Sequence, residues 1–254
     1  DAYYVYDILG NLASVLPPKA EGTITAAVLN DLCYQYKYDY RNRMVEKKLP
    51  GKQWEFIVYD KLDRIVATGP ANSPFNNLTS LGWFITKYDV FNRPVITGWM
   101  PAASVTAVDR TAIQKDRNKE TLNFSEAKSA ASLTINSVDI RYTNSVWPVN
   151  SSTAPVSIYH ILTVSYYDSY DYPGAPAVFG TVAGQQVFYD TTVKPVGLAT
   201  GSWTRILESS TSPIRAENSY LLYDNKDRVI RSYAANFLGG YTQIDTNIDF
   251  QGKS

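Results

Sequence analysis

Residues 32–45 read LCYQYKYDYRNRMV, and in them Tyr38-Asp39 is followed, three residues after the Asp, by Asn42. Because Asn tolerates a left-handed backbone, Asn42 is predicted to form the tight corner of a β-hairpin. Tyr-rich sequence before the pair favours an incoming strand, and the run that begins at Met44 favours a returning one. The segment therefore predicts a unit of strand, Asp-led turn and strand.

The same spacing recurs along the chain, with Gly, Asn or Asp at the corner position. The copies are Tyr6-Asp7 with Gly10, Tyr38-Asp39 with Asn42, Tyr59-Asp60 with Asp63, Tyr88-Asp89 with Asn92, Tyr167-Asp168 with Asp171, and Tyr223-Asp224 with Asp227. A half-copy, Ile248-Asp249 with Gly252, follows. In four copies the next residue is an Arg, namely Arg43, Arg64, Arg93 and Arg228. Recurrence of one hairpin unit predicts an all-β fold, a curved antiparallel sheet with one or two short appended helices.

The motif Tyr-Asp-x-x-(Gly/Asn/Asp)-Arg resembles the YD repeat of bacterial Rhs proteins, which is shared with the shells of insecticidal toxin complexes and the barrel of animal teneurins. Residues 32–45 and 236–240 are similar to the large secreted Rhs-type proteins of Gram-negative bacteria. The resemblance implies a spiralling β-sheet that can wrap into a hollow shell around a toxic C-terminal region. It also implies a bacterial protein that is secreted or lies at the cell surface.

The sequence is interpreted as one YD-repeat β domain over residues 1–254, a fragment of a longer protein, with a divergent insertion at 101–220. Thr25–Leu32 has the spacing of a short helix. A second helix is predicted from a Ser104 cap to Asn118, with Val105, Val108, Ala112 and Ile113 on one face. In the copy at Tyr167-Asp168 the expected Arg is Tyr172, so no ordinary return strand is expected there.

Charge and hydropathy exclude several partners. The 24 Lys and Arg residues balance 24 Asp and Glu residues, so the chain has no overall field for nucleic acid or an anionic membrane. No run approaches the roughly 20 apolar residues of a membrane span, so membrane insertion is not expected. Cys33 is the only cysteine, which excludes an intrachain disulfide and a zinc site built from several cysteines.

The residue types that carry catalysis are scarce. His160 is the only histidine. It alternates with Val156, Ile158, Leu162 and Val164, which predicts a packed and hydrogen-bonded core residue. Cys33 is predicted to be a small buried hydrophobe. We therefore expect no enzyme activity, no catalytic residue, no metal and no cofactor.

The paired carboxylates Asp168 with Asp171 and Asp224 with Asp227 could serve hydrolysis or calcium, but each pair falls on predicted turn positions. In Rhs proteins paired aspartates of a core-terminal motif perform self-cleavage. This sequence has no equivalent, so that activity is not transferred.

Two features leave alternatives open. The repeat Arg residues bind either an anionic ligand or the Asp of a neighbouring hairpin, and charge balance favours the second. The 20 Tyr, 5 Trp and 9 Phe residues suit pleated strands, yet exposed ones could stack on sugar rings. The favoured function is a structural segment of a β-shell, whose partner is the remainder of the polypeptide or an enclosed C-terminal region. The alternative is a carbohydrate- or cell-surface-binding adhesion module that recognises surface glycans.

Overall fold

The computed structural model describes residues 1–20, 22–119, 122–135, 137–149, 158–211, 213–249 and 252. These residues form mainly β-strands with two short helices, which confirms the predicted all-β class. No helix among them is long and apolar enough to cross a membrane.

The large sheet is antiparallel and contains thirteen strands. The strands of the chain are β1 (Tyr3–Tyr6), β2 (Leu12–Leu16), β3 (Tyr34–Tyr38), β4 (Met44–Lys48), β5 (Trp54–Tyr59), β6 (Ile65–Asn72), β7 (Leu81–Tyr88), β8 (Pro94–Pro101), β9 (Thr134–Ile135), β10 (Val138–Asp139), β11 (His160–Tyr167), β12 (Thr181–Val182), β13 (Gln185–Gln186), β14 (Ala199–Arg205), β15 (Ala216–Tyr223), β16 (Val229–Ala235) and β17 (Tyr241–Asp245). The order in the large sheet is β1-β2-β3-β4-β5-β6-β7-β8-β11-β14-β15-β16-β17, while β9-β10 and β12-β13 form two small hairpins. Sequential strands are therefore neighbours except where the chain leaves the sheet after β8 and after β11.

The chain divides into two compact units. Unit 1 comprises Asp1–Asn72, Ser80–Ile85 and Pro101–Leu122, and unit 2 comprises Ser73–Thr79, Thr86–Met100 and Asn123–Ser254. The predicted single domain stays a prediction. Within the predicted insertion at 101–220, β11 and β14 belong to the large sheet.

The helices are α1 (Ala26–Leu32) and α2 (Ala107–Arg117), and both lie in unit 1. The predicted helix at 25–32 is confirmed, with Thr25 as the N-cap that accepts from the Val28 N–H. The predicted second helix exists, but its N-cap is Thr106 and not Ser104. Thr106 and Asp109 form a reciprocal capping box, which satisfies donors that an uncapped helix start leaves free.

The predicted apolar face of α2 is wrong at Val108 and Ala112, while Val105 and Ile113 are half-buried. Val108 is 77% exposed and Ala112 is also exposed, whereas Arg110, Gln114 and Arg117 are buried. The cause is the side-chain amide of Gln114, which accepts from the Tyr59 N–H at 3.0 Å and donates to the Tyr59 carbonyl at 2.8 Å. Two bonds to strand backbone hold the polar face of the helix against β5.

The core of unit 2 contains apolar strand residues and one fully buried ion pair. Ile96, Ile161 and Val164 are fully buried on β8 and β11. Lys87 and Glu126 form a fully buried ion pair at 3.1 Å. Burial lowers the pKa of Lys87 to about 8, although the charge and hydrogen bond of Glu126 oppose that change. The pair ties the segment after residue 122 to β7.

Candidate functional site

The repeated hairpin corner is held by the carboxylate of its Asp. In the copy at Asp60, Oδ1 accepts from the backbone N–H of Leu62 at 2.8 Å and of Arg64 at 3.0 Å. Oδ2 accepts from Nε of Arg64 at 2.7 Å. Asp63 forms the corner with φ of 62°. The Asp therefore binds the turn backbone through one oxygen and the Arg through the other.

The same arrangement recurs at the other corners. The residues at the corner position have positive φ, as predicted: Gly10 (83°), Asn42 (58°), Asp63 (62°), Asn92 (63°) and Asp227 (61°). The Oδ1 atom of the Asp accepts the N–H groups two and four residues later at each corner: Asp7, Asp39, Asp60, Asp89 and Asp224. In four copies Oδ2 also binds the following Arg: Arg43, Arg64, Arg93 and Arg228. The same two backbone hydrogen bonds thus form at five of the predicted corners, and the Arg contact forms at four of them.

The copy at Tyr167-Asp168 departs from this pattern. The predicted corner at Asp171 is wrong, because the left-handed residue is Asp168, with φ of 63°. No return strand follows directly, as expected, and β11 instead pairs with β14. Asp168 uses its carboxylate on Arg93, at 2.9 and 2.6 Å, and on the Gly197 N–H at 2.7 Å.

Two turns were missed by sequence reasoning. Between β16 and β17, Asn236 takes the place of the Asp: its Oδ1 accepts from Leu238 N at 2.9 Å and Gly240 N at 3.0 Å, and Gly239 has φ of 88°. A motif that allowed Asn for Asp and any residue for Tyr finds this corner. Gly174, three residues after Tyr170-Asp171, also has positive φ, but the turn bond there runs from Ala175 N to Tyr172 O.

In unit 1 the corners are also linked to one another. The Arg43 guanidinium binds its own Asp39 at 2.6 Å through Nη2 and the next corner, Asp63, at 2.6 Å through Nη1. It also lies over the Tyr59 ring, 4.6 Å from the centroid. Asn11 stands where an Arg is found in other copies, and its Nδ2 binds both Asp7 at 3.1 Å and Asn42 at 3.2 Å. We call these linked corners the corner ladder. The sequence predicted that each repeat Arg pairs with a neighbouring hairpin. It did not predict that the Arg also pairs with the Asp of its own hairpin.

Unit 2 contains the same kind of link. Arg93 binds its own Asp89 at 2.7 Å, binds Asp168 with two bonds, and lies 4.3 Å from the centroid of the Tyr167 ring. The hydrogen bond from Arg93 lowers the pKa of Asp168 against the effect of burial. Arg228 binds Asp224 and donates to the Asp249 carbonyl at 2.8 Å. In unit 2, too, Arg residues form ion pairs within their own hairpin, and Arg93 forms one with a second hairpin. We include these corners in the corner ladder.

The Tyr of the motif forms a recurring hydrogen bond between strands. Its hydroxyl donates to a backbone carbonyl of a neighbouring strand in four copies: Tyr38 to Leu12 at 3.1 Å, Tyr59 to Met44 at 2.8 Å, Tyr167 to Pro94 at 3.2 Å, and Tyr223 to Ala199 at 2.5 Å. In the first three pairs the acceptor directly follows the Asn or Arg of a corner. In these four copies the hydroxyl gives Tyr a role that a Phe ring could not fill.

His160 is packed between aromatic rings, 5.1 Å from Phe75 and 5.9 Å from Trp99. Burial, with a further effect of the Arg205 cation, lowers its pKa. The predicted hydrogen bond is not found on Nδ1, which is buried without a partner in the part of the chain that the structure describes. Val156 of the predicted strand lies outside the described residues. Cys33 is fully buried as predicted, and burial raises the pKa of its thiol.

Unit 1 contains a cavity of about 350 Å³ beside Trp54, which we call the Trp54 cavity. Strand register places Lys37, Glu46 and Phe56 side by side on β3, β4 and β5. Gly69 continues the row on β6, where a Cβ atom would come within 3.0 Å of Val105. The residues that line the Trp54 cavity are Lys37, Glu46, Gln53, Trp54, Phe56, Pro70, Val105, Thr106 and Ala107. The missing side chain at Gly69 lets the start of α2 cover one side of the cavity.

No group of three or more His, Cys, Asp or Glu side chains within the described ranges is arranged to hold a metal ion. No family model matches the sequence, and no curated protein matches it. Membership of the YD-repeat family therefore stays a prediction from the motif.

Proposed function

We propose that this chain is a non-enzymatic structural segment of an Rhs-like bacterial protein that is secreted or lies at the cell surface. Its sheet forms part of a β-shell that encloses or presents another region of the polypeptide. One observation carries this proposal: the Asp, Arg and Tyr of the repeats are bonded to turn backbone, to one another and to neighbouring strands. These contacts hold a sheet together hairpin by hairpin.

The carboxylates of the repeats are poorly suited to catalysis. At Asp60 both oxygens accept hydrogen bonds from the protein, and the residue is only 3% exposed. A general acid or base must reach a substrate proton within hydrogen-bond distance. Repeated use of the same carboxylate in the same role favours a structural purpose for the motif over a single active site.

The natural protein in the producing bacterium provides the test. Antibodies raised against this chain are used to isolate it, its mass is measured, and its position is determined by cell fractionation with limited proteolysis. We expect a longer polypeptide outside the cytoplasm, containing a region that resists protease until the β-shell is denatured. A cytoplasmic protein, or one with no protected region, contradicts the proposal.

A further inference from the structure

We propose that Lys87 and Asn144 join covalently through an isopeptide bond, an amide between Nζ of Lys87 and Cγ of Asn144. Glu126 is the acid–base residue of this reaction, which occurs once within one molecule and releases ammonia. The inference goes beyond the structural role proposed above and does not depend on it. It concerns a cluster in unit 2 that the corner ladder does not use: Lys87, Glu126, Asn144 and Tyr159.

The fold brings the three reacting side chains together from separate parts of the sequence. Lys87 lies on β7, and the Glu126 N–H donates to the carbonyl of the next residue of that strand at 2.8 Å. Two residues later, Lys128 forms an antiparallel bridge with Tyr142. In that register Asn144 lies opposite Glu126. The amide, the carboxylate and the lysine are therefore neighbours because of backbone pairing.

The Nζ atom of Lys87 is within hydrogen-bond distance of both other groups. It donates to Oε1 of Glu126 at 3.1 Å and to Oδ1 of Asn144 at 3.2 Å. The carbonyl carbon of Asn144 is one C=O bond, about 1.23 Å, from that oxygen, so a small movement of Nζ is enough to reach it. Groups held about 3–3.5 Å apart in a suitable orientation react far faster than the same groups free in solution.

Burial favours the neutral amine that the reaction needs. The Lys87 and Glu126 side chains are both 0% exposed, and the fully buried Tyr159 ring has its centroid 4.8 Å from Nζ. Burial lowers the pKa of Lys87 to about 8, although the charge and hydrogen bond of Glu126 oppose the change. About one Lys87 side chain in ten is then a neutral amine at pH 7, and the neutral amine is the nucleophile. The exclusion of water also protects the product from hydrolysis.

The Glu126 carboxylate is held in place by the segment that carries Asn144. Its Oε2 accepts from Oγ1 of Thr143 at 2.6 Å and from the Ser145 N–H at 3.0 Å. Its Oε1 accepts from the Val146 N–H at 3.1 Å. These bonds fix the carboxylate against the amine on one side and the backbone around the amide on the other. A residue that relays a proton between the two must occupy such a position.

The reaction balances without any further reactant. Glu126 takes one proton from the Lys87 ammonium, which frees the lone pair of Nζ. A bond forms between Nζ and Cγ of Asn144, and the bond between Cγ and Nδ2 breaks. One of the two protons left on Nζ passes through the Glu126 carboxyl group to Nδ2, which leaves as ammonia. Glu126 keeps the first proton, so no uncompensated charge stays buried in the product.

Mass spectrometry of the denatured full chain provides the test. We expect a mass that is smaller than that of the sequence by one ammonia and, after proteolysis, a branched peptide that joins Lys87 to Asn144. Lys87→Arg keeps a cation that does not lose its proton, and Asn144→Ala removes the amide, so both should abolish the branched peptide. Glu126→Gln should slow its formation after expression by about a hundredfold or more, since it removes the acid–base group.

Matched controls come from the same unit. Lys128→Arg changes a neighbouring lysine that binds Oγ of Ser169 at 2.8 Å. Asn77→Ala removes an amide whose Oδ1 and Nδ2 bind Ser210 at 2.9 and 3.0 Å. Both variants should show the same loss of ammonia and the same branched peptide as wild type.

Wild-type protein with the full mass of its sequence overturns the proposal, and this result needs no variant to fold. A loss of ammonia that persists in Lys87→Arg also overturns it, because a succinimide formed between Asn144 and its own backbone has the same mass without a branch. Formation at the wild-type rate in Glu126→Gln overturns the role of that carboxylate. None of these results affects the proposed structural role of the sheet.

Discussion

Replacing Asp60 with Ala tests the corner ladder at a corner that is almost fully buried. The Asp60 and Arg64 side chains are 3% and 8% exposed, and they meet at 2.7 Å. The substitution removes the acceptor of two turn N–H groups as well as the partner of the guanidinium. Removing one partner of a buried ion pair costs about 3–5 kcal/mol, because the other charge stays buried. We expect the free energy of unfolding to fall by about that amount.

A conservative variant separates charge from geometry. Asp60→Asn keeps an oxygen that can accept from Leu62 N and Arg64 N but removes the negative charge. It should cost about 1.5–3 kcal/mol, the range for a hydrogen bond to a charged group. The control is Glu55→Ala, which breaks the surface pair with Lys47. Its side chains are 44% and 37% exposed, so it should cost less than about 1 kcal/mol.

Urea unfolding at pH 7, followed by circular dichroism, gives the three free energies. Hydrogen exchange at Leu62 and Arg64 reports whether the turn itself opens, because their N–H groups lose their acceptor only in Asp60→Ala. The reasoning is refuted if Asp60→Ala costs no more than Glu55→Ala, or if the exchange rates at the turn do not change. Either result would mean that the backbone hairpin holds without its Asp.

Three further predictions concern a corner residue, the carboxylate that joins two hairpins, and the buried thiol. Asn92→Val should lower the free energy of unfolding by about 1–2 kcal/mol, because a β-branched residue is strained at φ of 63°. Asn92→Gly should lower it much less. Urea unfolding of both variants measures the two costs, and equal costs would contradict the prediction. The hydrogen bond from Arg93 lowers the pKa of Asp168 in the folded protein, against the effect of burial. Its contribution to the free energy of unfolding is therefore present above about pH 4 and is lost as pH falls through the folded pKa. Between pH 7 and pH 2.5, Asp168→Asn should lose less stability than wild type, and identical profiles would speak against this prediction. Iodoacetamide should modify Cys33 in urea and not in the native protein, since the thiol is fully buried with a raised pKa; rapid native labelling, read by mass spectrometry, would show that the site opens.

The corners could be predicted from sequence because their requirement is local. A left-handed residue at a fixed distance after Asp leaves few choices, and Gly10, Asn42 and Asp227 all satisfy it. Asp168 shows the limit of this rule. Its Tyr-Asp pair is present, but the chain that follows turns away from the sheet, and Asp168 itself adopts the left-handed conformation. Local spacing cannot indicate that β11 pairs with β14, because the two strands are separated in sequence by a segment that contains β12 and β13.

The orientation of α2 could not be predicted, because it depends on a distant strand. Hydrophobic spacing favoured Val108 as a buried residue, whereas the helix turns Gln114 inward to bond both backbone groups of Tyr59. Tyr59 lies beside a register shift between β5 and β6. Such a position is fixed by pairing between strands, and no pattern within residues 104–118 contains it.

The Trp54 cavity was beyond sequence reasoning for a similar reason. High aromatic content indicated only that some rings are exposed. The row of Lys37, Glu46 and Phe56 exists because three strands pair in one register, and the space beside it depends on Gly69, which is far from Lys37 in sequence. A single glycine between two strand residues gives no signal until its neighbours across the sheet are known.

The aspartates of the repeats illustrate how one spacing supports two hypotheses. Carboxylates three residues apart, such as Asp224 and Asp227, are compatible with acid–base chemistry or a cation. In the structure Asp224 accepts two turn N–H groups and binds Arg228, while Asp227 forms the left-handed corner. A single catalytic site does not require identical copies at successive hairpins, whereas a sheet gains one locked turn with each copy. Repetition of the same bonds at Asp39, Asp60 and Asp89 therefore favours the structural hypothesis more strongly than any single corner does.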